Sequence, residues 1–303
     1  MTTGTGARAE AGTETGTTTQ GGDSLRLVHT ITETREVVAE ARRGGKSVGL
    51  VPTMGALHEG HMSLVRAARE RDGFVAISIF VNPTQFGPQE DLAKYPRTLE
   101  ADAALCEAAG VDLIFAPAAE EMYPEGFATS VHVAGVGERL EGEFRPGHFD
   151  GVATVVAKLL GIVRPDRAYF GLKDFQQLAV IWRMVADLNL PVEIVDCPTV
   201  READGLALSS RNRYLSAAER RVAPALYQAL QVGAELLRAG GSGAQAAERA
   251  KECLASEPRF RVQYLEAADS ETLAPHPQAE LPAVLLAAAY LGQTRLIDNL
   301  LVD

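Results

Sequence analysis

The chain has 303 residues, 46% of them hydrophobic, and a formal net charge of −11 at pH 7. That length and composition allow one large domain or two ordinary ones with a sizeable core. The acidic balance argues against nucleic acid or an anionic membrane as a partner, so any phosphate site must be a local basic pocket.

Residues 1–22 are rich in Thr and Gly and lack the apolar stretch of a secretory signal, so they read as a disordered tail. Leu25–Ala41 reads as an amphipathic helix ended by Gly44-Gly45. The apolar run Val48–Val51 predicts a buried strand, Pro52 and Gly55 a turn, and Leu57, Leu64, Val65 and Ala68 the apolar face of a following helix. Phe74–Val81 is a continuous apolar run, the pattern of a strand buried on both faces, and Asn82–Gly87 is a polar loop at its carboxyl end. Asp91–Arg97 reads as loop, Leu99–Ala109 as helix closed by Gly110, and Val111–Phe115 as strand.

Residues 117–150 carry no regular pattern. Val152–Val163 predicts a helix, Arg167–Phe170 a strand, Phe175–Asn189 a long helix and Val192–Val195 the last strand of this half. The β-α-β-α-β order predicts a Rossmann-like, doubly wound parallel sheet. Beyond residue 199 the texture changes. Helices are expected over Ser216–Ala239 and Ala244–Leu254, and strands over Val262–Leu265, Val284–Leu291 and Arg295–Asn299. The expected division is therefore 23–199 for the first domain and 200–303 for a smaller α+β domain. Leu281–Leu291 is too short to span a bilayer and reads as core strand. The three cysteines, Cys106, Cys197 and Cys253, form no CxxC pair, which suits a reducing cytoplasm and offers no metal-site spacing.

Chemistry gathers in four segments: Pro52–His61, Asn82–Gln85, Gly171–Gln177 and Leu208–Arg211. The first three follow predicted strands, and in a parallel sheet those strand ends share one edge where ligands bind. His58 and His61 stand three apart at a helix start, so both rings share a face beside unpaired backbone N–H groups. Gly55 and Gly60 let a phosphate approach the backbone. HExxH, GxxxxGK[ST] and GxGxxG are all absent from this stretch. Lys173 could reach phosphate oxygens as a point charge, and Gln85 and Gln177 suit a small ligand bearing hydroxyl and carboxylate groups. Taken singly, each of these side chains has an ordinary surface or capping role; their convergence carries the argument.

The segments VPTMGALHEGH, SIFVNPTQF, DLAKYPRT, RPGHF, RPDRAYFG, KDFQQL and ADGLALSSRNRYL occur in this order. In them the chain resembles the pantoate–β-alanine ligase family, of the HxGH nucleotidyltransferase superfamily. The resemblance implies a two-step reaction. The carboxylate of (R)-pantoate attacks the α-phosphorus of ATP to give pantoyl adenylate and pyrophosphate. The amine of β-alanine then displaces AMP to give pantothenate.

By position, the resemblance implies an ATP site along Met54, Gly55, Ala56, Leu57, His58, Glu59, Gly60 and His61, with His61 in the proton-donor place. Gly171, Leu172, Lys173, Asp174 and Val200 would join it, and Leu208, Ser209, Ser210 and Arg211 would close over the phosphates. His58, His61, Lys173 and Arg211 would carry the catalysis. Gln85 and Gln177 would hold pantoate, Gln85 also serving β-alanine, with Asn82 and Tyr95 as second-line members. Magnesium would arrive with ATP, with no protein side chain assigned to it. A homodimer built through the first domain is implied, with the second domain as lid. The family reads Gly-Glu-Lys-Asp where this chain has Leu172 in the second place. Two rivals are a nucleotidyltransferase acting on another substrate and a non-catalytic nucleotide-binding paralogue impaired by Leu172.

Overall fold

Alternation within the apolar runs builds the main sheet. In strand β2 (Val48–Thr53), Val48 and Leu50 face one layer of core and Val51 the other. Strand β3 (Phe74–Ile79) does the same with Phe74 and Ala76 against Val75 and Ile77. Both faces are therefore covered by helices, which is why these strands read as unbroken hydrophobic runs. The computed structural model describes residues 25–88, 90, 92–276 and 281–303; the tail expected over residues 1–22 lies outside them.

Three further strands follow the expectation: β4 (Leu113–Phe115), β5 (Arg167–Gly171) and β6 (Glu193–Cys197). A sixth does not. The sequence reads Leu25–Ala41 as one helix, but it divides into β1 (Arg26–Val28) and helix α1 (Ile31–Arg43). The cause is a capping box: Thr30 accepts from the Glu33 N–H at 3.2 Å, and Glu33 accepts from the Thr30 N–H at 3.1 Å. The helix cannot extend before that cap, and the freed segment pairs with β4.

All six strands are parallel, in the order β1-β4-β3-β2-β5-β6. From β2 the chain winds outward through β3 to β4, then returns to add β5 and β6 on the other side. The direction of winding thus reverses between β2 and β5, which opens a crevice at the carboxyl ends of these strands. Helix α2 (Glu59–Arg71) and helix α3 (Leu99–Ala108) cover one face. Helix α1 covers the other with α6 (His148–Val163) and α7 (Phe175–Asp187). The region 117–150 is largely irregular but holds two single-turn helices, α4 (Ala119–Met122) and α5 (Glu141–Phe144). Helix α6 starts at His148, earlier than the expected Val152.

After β6 the chain enters a second layer system. The helix expected over Ser216–Ala239 is broken into α8 (Ala217–Val222) and α9 (Ala225–Arg238), because Pro224 supplies no backbone N–H. Helix α10 (Gly243–Ala255) packs with α9 on an antiparallel sheet of β7 (Phe260–Asp269), β8 (Ala283–Leu291) and β9 (Thr294–Val302). The apolar run ending at Leu291 is the central strand of that sheet. Its Val284, Leu286 and Ala288 face the core of the first sheet, and Leu285, Ala287 and Ala289 face α9 and α10. Among the described residues no helix is long and apolar enough to cross a membrane.

One contact fixes the floor of the crevice. Helix α6 passes so close to the short 3₁₀ turn Pro83–Gln85 that a Cβ on Gly151 would lie 2.4 Å from the Thr84 carbonyl oxygen. Replacing a mid-helix glycine by alanine ordinarily stabilises by about 1 kcal/mol. Here the obstacle is backbone rather than a movable side chain, and overpacking of this kind costs about 1–3 kcal/mol. Gly151→Ala should therefore lower the urea midpoint; an unchanged or raised midpoint would show that α6 can move away freely.

Candidate active site

Four loops after adjacent strands β3, β2, β5 and β6 meet at the sheet's carboxyl edge. They line a cleft of about 1200 Å³ that extends to the second sheet. The loop after β2 is held from below. Gly55 and Ala56 both have positive φ. The Asp102 carboxylate from α3 accepts the backbone N–H groups of Ala56 and Leu57 at 2.9 and 2.8 Å. Asp102 is buried, and its Oδ2 also accepts from Thr98 Oγ1 at 3.2 Å.

The turn delivers His58 to the N-cap of α2. The Gly60 N–H donates to His58 Nδ1 at 3.1 Å, and the His58 N–H donates to His61 Nδ1 at 3.3 Å. This is a capping box made of two imidazoles. Each Nδ1 is an acceptor, so each neutral ring must carry its proton on Nε2. The rings lie 4.1 Å apart, tilted by 43°. Gly60 is needed because a Cβ there would come within 2.9 Å of His58 Cε1.

Burial, then the positive charges of Lys173 and Arg213, hold His58 below its usual range. Burial and then the neighbouring His58 lower His61 from 6.5 to about 3. Both rings are therefore neutral near pH 7. A neutral ring with Nδ1 occupied can offer its Nε2–H as a hydrogen-bond donor.

Lys173 stands in the 3₁₀ turn Leu172–Asp174 after β5, with its ammonium 3.6 Å from the Asp174 carboxylate. Gly171, Lys173, Asp174 and Gln177 all line the cleft. Leu172 does not. Its side chain packs against the main core, so what it could offer a nucleotide is backbone rather than side chain. Glu59 is likewise turned outward and paired with Arg66, while Gly55, Ala56 and Leu57 are buried beneath the turn. These four shape the loop, whereas Met54, His58, Gly60 and His61 face the cleft.

Gln85 is set by a buried hub at Asn82. Asn82 Nδ2 donates to Gln85 Oε1 and to the Gly151 carbonyl, both at 3.1 Å, and its Oδ1 accepts from Tyr123 at 2.7 Å. Among the described residues, Gln85 Nε2 meets only the Met54 sulfur, at 3.1 Å. A thioether is a weak acceptor that a substrate oxygen can readily replace. Tyr95 is buried in the same wall.

The fourth loop arrives on a hairpin. Arg201 pairs with Ala207, and the Leu208 N–H donates to the Val200 carbonyl at 3.0 Å. Ser209 caps the following 3₁₀ turn, Ser210–Tyr214, by accepting from the Arg211 N–H at 3.3 Å. Val200 and Leu208–Arg211 all line the cleft. The loop comes close to α2: a Cβ on Gly60 would lie 3.9 Å from Leu208 Cβ.

One cleft wall had no role assigned from sequence. Buried Glu141 accepts both guanidinium nitrogens of Arg295 at 2.6 Å and also bonds Arg145 at 3.2 Å and Tyr264 at 3.2 Å. Burial pushes its carboxyl up, but the bonds and charge of Arg295, with Arg145, outweigh this and hold it below the usual range. Arg145 also grips Glu90 through two bonds of 2.6 Å. His148 Nδ1 donates to the Gln85 carbonyl at 2.8 Å, and its Nε2 receives Arg145 at 3.1 Å. Burial and Arg145 lower this ring to about 4. The segment RPGHF is a visible signal for Arg145 and His148. Arg295 lies 154 positions from Glu141, and no local pattern links them.

A family model described as pantoate–β-alanine ligase matches residues 26–301. The chain belongs to the pantoate–β-alanine ligase family. It is 55% identical over 280 residues to the pantothenate synthetase of Moorella thermoacetica, covering 92% of this chain and 99% of that protein. The pantothenate synthetase of Pseudomonas paraeruginosa is also 55% identical over 280 residues, again 92% and 99% of the two chains. The fold superimposes on the crystal structure of pantothenate synthetase from Thermus thermophilus with a TM-score of 0.86 at 54% identity, covering 91% and 98%. The pantoate–β-alanine ligase of Francisella tularensis, solved with β-γ ATP and β-alanine, gives a TM-score of 0.75 at 33% identity, covering 92% and 98%.

The lowered basicity of His61 contributes to an acid limit on stability, as does that of His148. Above about pH 6.5 His61 is neutral whether the chain is folded or not, and it adds no pH dependence. Between about 6.5 and about 3 only the unfolded ring takes up the proton, so stability falls as the pH falls. The slope contributed is up to about 1.4 kcal/mol per pH unit. His61→Asn keeps an acceptor near the Nδ1 position but cannot titrate. Its denaturation midpoint should therefore fall less steeply than wild type between pH 6.5 and about 4, and parallel curves would show that another group sets the limit.

Proposed function

We propose that this chain condenses (R)-pantoate with β-alanine in an ATP-dependent, AMP-forming reaction through pantoyl adenylate. The observation that carries the reading is the meeting of two neutral Nε2–H imidazoles, one ammonium and two glutamine amides in a single cleft. The first step needs donors where negative charge develops on the α-phosphate, and a site that holds a small hydroxy acid in line. His58 and His61 at the start of α2 supply Nε2–H donors, the helix dipole adds partial positive charge, and Lys173 supplies the full positive charge. With a ring as weakly basic as His61, its part is to donate a hydrogen bond, without delivering a proton.

Gln85 and Gln177 would hold pantoate from opposite walls, Gln85 exchanging the Met54 sulfur for a substrate oxygen and also meeting β-alanine. Ser209, Ser210 and Arg211 would close on the phosphates. In the second step the β-alanine nitrogen bonds to the acyl carbon, the bond from that carbon to the AMP oxygen breaks, and the nitrogen gives up a proton. Neither step requires a protein nucleophile, so the catalysis is positioning and electrostatics.

Magnesium would enter on the ATP phosphates; among the described residues no group of three or more His, Cys, Asp or Glu side chains gathers to hold an ion. The division at residue 199, the lid role of the later segment, a homodimer built through the first domain and a cytoplasmic location belong to the same reading. A non-catalytic paralogue disabled at Leu172 has little support, because that side chain faces core rather than cleft.

The test is the order of the half-reactions. Exchange of labelled pyrophosphate into ATP should require pantoate and proceed without β-alanine. Exchange that appears only when β-alanine is present would rule out the adenylate route, and exchange that ignores pantoate would favour another nucleotidyl transfer. His61→Ala should slow the pantoate-dependent exchange by on the order of 10²–10³-fold, the loss typical for one donor to a developing oxyanion.

A further inference from the structure

The turn that carries Lys173 is gripped from the other sheet. Asn299, on β9, is 6% exposed. Its Nδ2 donates to the carbonyl oxygens of both Leu172 and Lys173, each at 2.8 Å. An amide nitrogen has two N–H groups, and here both are spent on successive carbonyls of one turn. The preceding residue grips a second segment. Asp298, also buried, accepts two bonds from Arg201 at 2.6 and 2.8 Å, and the Arg201 guanidinium lies 3.6 Å over the Tyr227 ring. Arg201 also donates to the Asn299 carbonyl at 3.2 Å, and the Asn299 N–H donates to Asp298 Oδ1 at 2.8 Å. Arg201 begins the hairpin that leads to Ser209–Arg211. Two consecutive residues of β9 thus hold the Lys173 turn and the base of the Ser209–Arg211 loop.

We propose that Asn299 is a positioning residue for Lys173, fixing its backbone so that the ammonium meets the phosphates of ATP. The lysine side chain is a flexible four-carbon stem, so the reach of its charge depends on where its Cα is anchored. Asn299 supplies that anchor from a different layer of the protein, and Asp298 with Arg201 keeps the anchor in register with the opposing loop. The inference rests on the reading of Lys173 given above. A merely adhesive role between the two sheets would lower stability without any special dependence on Lys173.

The experiment is a double-mutant cycle on pantoate-dependent pyrophosphate exchange, using the full chain as wild type, Asn299→Ala, Lys173→Ala and the double variant. Asn299→Ala should slow exchange by on the order of 10–100-fold, as expected when a charged group is displaced by about 1 Å. The double variant should be no slower than Lys173→Ala alone, within about twofold. Multiplied losses in the double variant would overturn the inference, as would wild-type exchange in Asn299→Ala. Wild-type exchange in Lys173→Ala would overturn the reading of the lysine itself, and the inference with it. Asn299→Asp keeps the shape but sets acceptors against two carbonyls; it should lose exchange as Ala does, and full activity in it would also overturn the assignment. Should Asn299→Ala not fold, Asn299→Ser takes its place in the same cycle.

Discussion

Two backbone N–H groups, one on each histidine Nδ1, decide the chemistry of this cleft. They fix which nitrogen of each ring carries the proton, and they do so without a carboxylate partner. A carboxylate would have raised the basicity of the rings and brought negative charge toward a polyphosphate. The backbone offers the opposite: partial positive charge at a helix start, which favours anions. The arrangement depends on Gly60, whose missing Cβ leaves room for the His58 ring, and on Asp102, which holds the turn that brings His58 to the helix.

The rest of the site is assembled by the reversal of winding between β2 and β5. That reversal sets the loops after β3, β2, β5 and β6 side by side, although they are far apart in sequence. The parallel sheet supplies the histidines, the lysine and the glutamines. The hairpin beyond β6 brings Arg211, and the antiparallel sheet closes the wall with Arg295. Each element is simple; the cleft is a product of topology.

Much of this is legible in the sequence, and the failures have physical causes. Strands buried on both faces show as apolar runs, and the loops after them hold the polar residues, so sheet and crevice can be read together. The start of α1 is misplaced by sequence reasoning although Thr30 and Glu33 spell a capping box; apolar periodicity through Leu25–Val28 outweighs it. Pro224 is similarly masked by a pattern that otherwise looks helical. Leu172 is placed in the phosphate site by the resemblance and by adjacency to Lys173, yet its side chain packs against the core. Neighbouring residues in a tight turn point in different directions, and sequence position alone does not tell which way. The grips of Glu141 on Arg295 and of Asn299 on the Lys173 turn join residues 154 and 126 positions apart, and a single sequence carries no signal for such pairs.

The Glu141 contact also bears on how the molecule comes apart. A buried carboxylate that loses a guanidinium partner carries a large penalty, and on the parallel-sheet side Glu141 would keep Arg145, which is itself shared with Glu90. Tyr264 and Arg295, both from the antiparallel sheet, hold Glu141 as well. Tyr264, Val284 and Leu286 also complete the hydrophobic core on that side. The two sheets therefore share one hydrophobic core as well as one buried ion-pair network, and separating them would expose both.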